Sequence, residues 1–173
     1  MQVVHIKGKI FEFGEVLEME IRRFKQEDAT ELSNVIVETV KISNSKDYSP
    51  KYVEMNVLSH SPEALIERAK NSHMYVVCDN SKIIGCGAIA EFWESKTESI
   101  LLTIFVLPNY QGKGIGKKII ETLEKDEYFI RANRIEIPAS ITAVEFYKKM
   151  GYGYKNGIEE LENGVLYRLE KFR

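Results

Sequence analysis

Residues 98–108, ESILLTIFVLP, read as a strand apolar on both faces, hence a central strand covered from both sides of a sheet. Residues 115–129, IGKKIIETLEKDEYF, set Ile115, Ile119, Ile120 and Leu123 on one face of a helix. The junction between them, PNYQGKGIG, packs Gly112, Gly114 and Gly116 around Lys113. A strand handed to a helix through nearly bare backbone belongs to a layered fold, and it leaves the helix mouth without side-chain cover.

Such a mouth carries unpaired N–H groups and about half a positive charge, so phosphates bind there readily. Glycine at 112, 114 and 116 would let a pyrophosphate touch the main chain, where a Cβ would hold it off, and Lys113 and Lys117 add charge at the rim. The same glycines also suit a loop that merely turns the chain. Two phosphate signatures fail: the P-loop needs Gly-x-x-x-x-Gly-Lys-Ser/Thr and the dinucleotide fingerprint Gly-x-Gly-x-x-Gly. The spacing present is Gln111-x-x-Gly114-x-Gly116.

A chain of 173 residues is long enough for a core and short enough for one domain. Its 24 basic and 26 acidic residues leave a net charge of −2, so neither nucleic acid nor an anionic membrane is an expected partner. No apolar run approaches the roughly 20 residues of a membrane span, and MQVVHIKGKIFEFGE lacks the apolar stretch of a secretory signal; a cytoplasmic location is expected. Cys78 and Cys86 fall in strand-like segments, as small buried hydrophobes do. His5, His60 and His73 lie apart without ligand spacing, so no metal is expected.

The order of the remaining elements follows from periodicity. VVHIKGKIFEF reads as a short strand pair with a Gly8 turn, or as an arm; MEIRRF is a strand; QEDATELSNVIVETVKIS has helical spacing. NSKDYSP is a loop by composition, and SPEALIERAKN is a helix capped by Ser61 with Pro62 in its first turn. HMYVVCDNSKIIGCGAIAEFW forms a hairpin around Asp79-Asn80-Ser81. NRIEIPAS is a strand, SITAVEFYKKMG a helix with Thr142 and Glu145 at capping-box spacing, and two more strands close the chain. The expected fold is α/β of the α+β layered kind, a mostly antiparallel central sheet of six to seven strands with helices on both faces.

VLPNYQGKGIGKKII resembles the pyrophosphate motif of the GNAT superfamily of acetyl-CoA-dependent N-acetyltransferases, Gln/Arg-x-x-Gly-x-Gly/Ala between a strand and a helix. ASITAVEFYKKMGY is similar to a later motif of that family, with Ser140, Ala143, Phe146, Tyr147, Gly151 and Tyr152 in the matching places. The resemblance covers roughly residues 19–170 and is nearest to small bacterial members of undefined acceptor. It implies a GNAT-like fold, one N-acetyltransferase domain over 19–173, and an N-terminal extension over 1–18.

The resemblance also implies a site. Coenzyme A, as acetyl-CoA, would be the co-substrate, without a metal. Its pantetheine arm would pair with the backbone of Ile104, Phe105 and Val106, where the strand splays from its neighbour, and a free N–H of Val106 or its neighbour would face the acetyl oxygen. The diphosphate would rest on Gly112, Lys113, Gly114, Ile115, Gly116 and Lys117, with Gln111 at the edge. Ser140, Ala143 and Phe146 would border the cofactor cleft, Ser140 standing where other members often carry asparagine. Tyr147 would protonate the departing thiolate, since a phenol near pKa 10 is a proton donor at neutral pH; Ala143, Tyr147 and Met150 share a helical face, so it also suits a core.

The family's usual glutamate base is replaced here by Ile100. Glu98 lies on the same strand face and would act through water; Glu136 and Glu91 are weaker candidates of that kind. An amine that arrives neutral needs no base. The expected partner is a small-molecule or peptide amine, selected by residues 41–65 and by the final hairpin, whose Glu159, Glu160 and Glu162 would favour a cation or simply face solvent. A homodimer is possible through the N-terminal strands. A coenzyme A binding module without catalysis is the alternative reading.

Overall fold

The computed structural model describes residues 6–12 and 15–173. Nine strands among them form one sheet in the order β1-β2-β3-β4-β5-β6-β9-β7, with β8 paired to β9. They are β1 (Ile6–Glu12), β2 (Glu15–Arg23), β3 (His73–Asp79), β4 (Lys82–Glu91), β5 (Glu98–Val106), β6 (Arg134–Ser140), β7 (Gly153–Tyr154), β8 (Leu161–Glu162) and β9 (Leu166–Phe172). Among the described strands only β5 and β6 run parallel. Seven strands have seven or more residues; β7, the first of the two expected closing strands, has only two, and β8, also of two, was not expected.

At the N-terminus the register differs from the expectation. β1 runs straight through Gly8, which faces Met19, so the turn does not fall at Gly8. The strand pair extends the sheet from β3. Residues 1–5, 13 and 14, including His5, lie outside the described residues.

Six α-helices among the described residues cover the sheet: α1 (Ala29–Thr39), α2 (Pro50–Leu58), α3 (Pro62–Lys70), α4 (Ile115–Leu123), α5 (Glu127–Arg131) and α6 (Val144–Lys149). α2 was not expected from the sequence. It starts as α3 does, with a serine cap and a proline: Ser49 accepts from the Tyr52 N–H at 3.3 Å, and Ser61 from that of Ala64 at 3.2 Å. Its stripe is weak, and no residue of α2 itself is buried. The stripe of α4 is strong: Ile115, Ile119, Ile120 and Leu123 are each at most 1% exposed. Burying each contributes roughly 1.5–3 kcal/mol. Glycine lets α4 lie close on the sheet, for a Cβ at Gly87 would collide with Ile119.

The capping box expected from Thr142 and Glu145 does not form. Residues 141–143 make a tight turn, α6 begins at Val144 without a side-chain cap, and the Thr142 hydroxyl meets Ser140 Oγ at 3.0 Å. Gly151, at φ 89°, ends the segment in the left-handed region, where glycine avoids the Cβ penalty.

Candidate active site

The site is a consequence of one broken strand pairing. β5 and β6 are bonded only from Glu98–Arg134 to Ile100–Glu136. Beyond that the two strands part, and the gap opens into a cleft of about 550 Å³ between residues 101–106 on one side and Ile137, Pro138 and Ser140 on the other. β5 is only half-buried along this stretch because one of its edges faces the gap.

A bulge shapes that edge. Between Cys86–Phe105 and Ala88–Leu102, β5 carries one residue more than β4. Thr103 takes up the excess at φ 54°, a strained value for a β-branched residue. Two contacts hold it there: the Cys86 thiol donates to the Thr103 carbonyl at 3.0 Å, and Arg68 Nη1 donates to Thr103 Oγ1 at 3.1 Å. Burial pushes the Cys86 thiol up to about 12, which keeps its proton in place for that bond. Cys86 is therefore a buried donor as well as a small apolar residue.

Further along, the Leu107 N–H donates back to Ile84 O at 2.9 Å. Antiparallel ladders alternate, so the N–H and C=O of Val106 turn away from β4, toward the gap. Gln111 Nε2 donates to the Val106 carbonyl at 2.9 Å and to Ser43 Oγ at 3.3 Å. The glutamine thus braces the strand end rather than pointing at a rim.

The glycine segment forms one arm of the cleft. Gly112 and Gly114 both sit at φ 77°, with open space where a Cβ would stand. Gly114 precedes α4 and gives it no side-chain cap, and the first internal bond runs from Lys118 N to Gly114 O, so the leading N–H groups remain free for an anion. Gly116 lines the cleft as expected and has a second neighbour as well. A Cβ there would stand 3.1 Å from the Phe146 ring, so this glycine lets α6 pack on α4. Lys117 reaches the cleft; Lys113 lies over Tyr110 at 5.7 Å, and the Ile115 side chain is core at 1% exposure. Of the expected cofactor residues, all but Lys113 and Ile115 line the cleft.

Tyr147 lies between the arms. It is 5% exposed and borders the cleft. It rests on Phe146 at 5.2 Å and Tyr152 at 6.4 Å between ring centres. Burial raises its phenol well above the ordinary range, so it keeps its proton at neutral pH.

The carboxylates expected near the site are elsewhere. Glu98 stands where β5 and β6 are still paired, 3.6 Å from Arg134. Glu136, 1% exposed, is held there by Arg134, by Arg168 at 3.3 Å and by Lys155 at 3.0 Å. Glu91 pairs with Arg131 at 2.8 Å. None of the three lines the cleft.

The opposite arm is made of side chains that the sequence did not single out. α1 widens into a π turn over Val40–Asn44, a local form common at functional sites, and brings Thr39, Ser43 and Asn44 to the cleft. From α2 and the turn after it come Tyr52, Asn56 and His60, four residues apart and on one side. Tyr48 locks this arm to the rest, donating to Val165 O at 2.7 Å and accepting from the Ile141 N–H at 2.9 Å. The serine-proline start of α2 and that four-residue spacing are the signals that would have exposed it.

Comparison with known proteins agrees with this architecture. A family profile described as an acetyltransferase (GNAT) domain matches residues 70–153. An uncharacterized N-acetyltransferase of Bacillus subtilis, YjcF, is 33% identical over 60% of this chain and 71% of its own length. One from Archaeoglobus fulgidus is 30% identical over 67% of this chain and 77% of its own. The chain belongs to the GNAT family of acetyltransferases. The crystal structure of a PaiA N-acetyltransferase from Thermoplasma acidophilum, in complex with coenzyme A, superposes with a TM-score of 0.75. It is 24% identical, covering 91% of this chain and all of that one, and so shows the shared fold. In this GNAT acetyltransferase the glycine arm falls inside the profile's range, and α1, α2 and β9 lie outside it. No helix among the described residues is long and apolar enough to cross a membrane.

Proposed function

We propose that this acetyltransferase moves an acetyl group from acetyl-CoA to a primary amine of a small molecule or peptide, by direct attack with both substrates bound. The observation that carries the reading is the gap between β5 and β6, which has an uncapped helix mouth at one end and a buried phenol beside it. The coenzyme A bound by the Thermoplasma protein of the same fold supports the choice of co-substrate. A cytoplasmic location and a free amine metabolite or peptide as partner belong to the same proposal.

The residues fit that co-substrate. Gly112 and Gly114 hold open the space a diphosphate needs, and the first N–H groups of α4 with Lys117 supply its charge partners. Acetyl-CoA supplies the activated thioester; the chain supplies position, an oxyanion donor and a proton. Val106 N–H, turned into the gap, is the donor for the acetyl oxygen. Ser140 and Ala143 border the arm that takes the pantetheine. Tyr147 holds the proton that the departing sulfur takes. Glu98, in its ion pair outside the cleft, has no part in this scheme.

Thermal melting with coenzyme A, followed by thiol release from acetyl-CoA with a panel of amines, tests the proposal. Coenzyme A should raise the Tm, since a ligand of the native state stabilises it. Thiol release should need both an amine and Tyr147. Stabilisation without transfer to any amine would leave a binding module and sink the proposal.

A further inference from the structure

The scheme above leaves one titratable group of the cleft unused. His60 follows α2, is 9% exposed, and lines the cleft edge-on to Phe105, with ring centres 5.3 Å apart. Its Nδ1 lies 2.8 Å from the Asn56 carbonyl oxygen and 3.1 Å from Ser59 Oγ, which itself donates to the same carbonyl at 2.8 Å. A carbonyl only accepts, so Nδ1 carries the ring proton, and Nε2 on the opposite edge presents a bare lone pair. Among the described residues Nε2 has no hydrogen-bond partner. One helical turn back, Asn56 Oδ1 is buried and also unpaired. Two acceptors of this wall, His60 Nε2 and Asn56 Oδ1, are thus unpaired, and a neutral amine brings N–H donors.

The charges of the cleft say the same. Lys117 is the one charged side chain lining it among the described residues, and no carboxylate does. An alkylammonium would find there neither a counter-charge nor a base able to take its proton. Burial holds the imidazole down at about 4, against the pull of its bond to Asn56 and with help from Arg68, the charged group that acts on it. Against an alkylammonium of pKa about 10.4 that base is too weak by roughly six orders of magnitude. It does suffice for a nitrogen that turns strongly acidic as it bonds to a carbonyl carbon.

We infer that His60 Nε2 takes the proton of the attacking nitrogen, and that the acceptor is a weakly basic amine already neutral at pH 7, of the arylamine, arylhydrazine or hydroxylamine class. The inference rests on the acetyl-transfer reading. The amine nitrogen forms its bond to the acetyl carbon as the carbon–sulfur bond breaks. Its proton passes to Nε2, the thiolate takes the phenolic proton of Tyr147, and solvent returns a proton from the imidazolium to the phenolate. Amine and thioester thus become amide and thiol with no proton gained or lost.

The test compares p-anisidine and phenylhydrazine with tyramine and spermidine as acceptors from acetyl-CoA at pH 7. It uses the native protein, His60→Phe and His60→Gln, which keeps an acceptor oxygen. The weak amines should exceed the alkylamines about tenfold or more in kcat/KM. His60→Phe should lose roughly 10²-fold in kcat toward them and keep its Tm shift with coenzyme A, and His60→Gln, whose amide accepts a hydrogen bond but takes no proton, should lose as much. Nitrogen-resolved NMR of the native ring should read a proton on Nδ1 and protonation well below pH 6. Equal or faster turnover of alkylamines at pH 7 overturns the inference, as does a His60→Phe kcat within twofold of native. Where His60→Phe does not fold, a native ring that titrates near 6.5 overturns it. Transfer to no amine at all, with the coenzyme A shift intact, would instead bring down the acetyl-transfer reading itself.

Discussion

The two arms of the cleft are built from different material. The glycine arm is main chain, with two glycines at positive φ and an uncapped helix mouth, supplied by residues close together in sequence. The polar arm is side chain, with Thr39, Ser43, Tyr52, Asn56 and His60 brought from the end of α1, a π turn, a short helix and the turn after it. Main-chain amides are the same in every protein of the fold, so the first arm suits a ligand that never changes. The second arm is made of side chains, whose chemistry is set by this sequence, so in the proposed reaction it is the arm that would choose the amine.

The contrast is open to attack, and the largest effect should come from acid. His60 is held at about 4 when folded against about 6.5 unfolded, so between these values the unfolded chain binds the extra proton. Its neutral form contributes stability above pH 6.5 that falls away by pH 4, a loss of about 3 kcal/mol. Burial raises the Asp28 carboxyl, but Arg22 at 2.7 Å and the Lys25 N–H hold it below the usual range, so its share too is lost toward low pH. Urea unfolding from pH 7 to 4 measures the sum, and His60→Phe should flatten the slope. An unchanged slope would mean that the polar arm does not carry this cost.

Next comes Tyr147→Phe, which should lower kcat about 10²-fold while the coenzyme A melting shift stays within error. A phenylalanine enzyme as fast as the native one would make the tyrosine part of the core alone. Gly114→Val probes the glycine arm. At φ 77° it imposes strain and fills the space above the helix mouth, so coenzyme A should bind about tenfold more weakly while the amine KM holds. Calorimetry of coenzyme A binding decides it, and an unchanged Kd would refute the assignment. The smallest effect belongs to Tyr48→Phe. Losing the hydroxyl that ties Val165 to Ile141 should cost about 1 kcal/mol, roughly 2–4 °C in Tm, and raise the amine KM alone. A change in coenzyme A affinity instead would show that the arms are not separable.

Reading the sequence recovered the glycine arm because its chemistry is local. Gln111 to Gly116 declare a strand–helix junction by spacing, and Ile115, Ile119, Ile120 and Leu123 declare the helix. Even there the reason for one glycine was hidden: Gly116 is small because Phe146 lies against it, a contact no spacing reveals. Glu98 looked suitable by strand alternation alone, but it falls where β5 and β6 have not yet parted, and Arg134 engages it. The polar arm was legible only as a segment, residues 41–65, and not as particular side chains, for a related reason. α2 buries no residue of its own, so it has little periodicity to detect, and its side chains acquire meaning only when Tyr48 draws that segment against β6 and β9.

Phe146, lying on bare Gly116, is the covalent neighbour of Tyr147. A larger residue at 116 would press on that ring, so the helix that would grip a diphosphate and the helix that bears the acid keep their spacing only while position 116 stays bare.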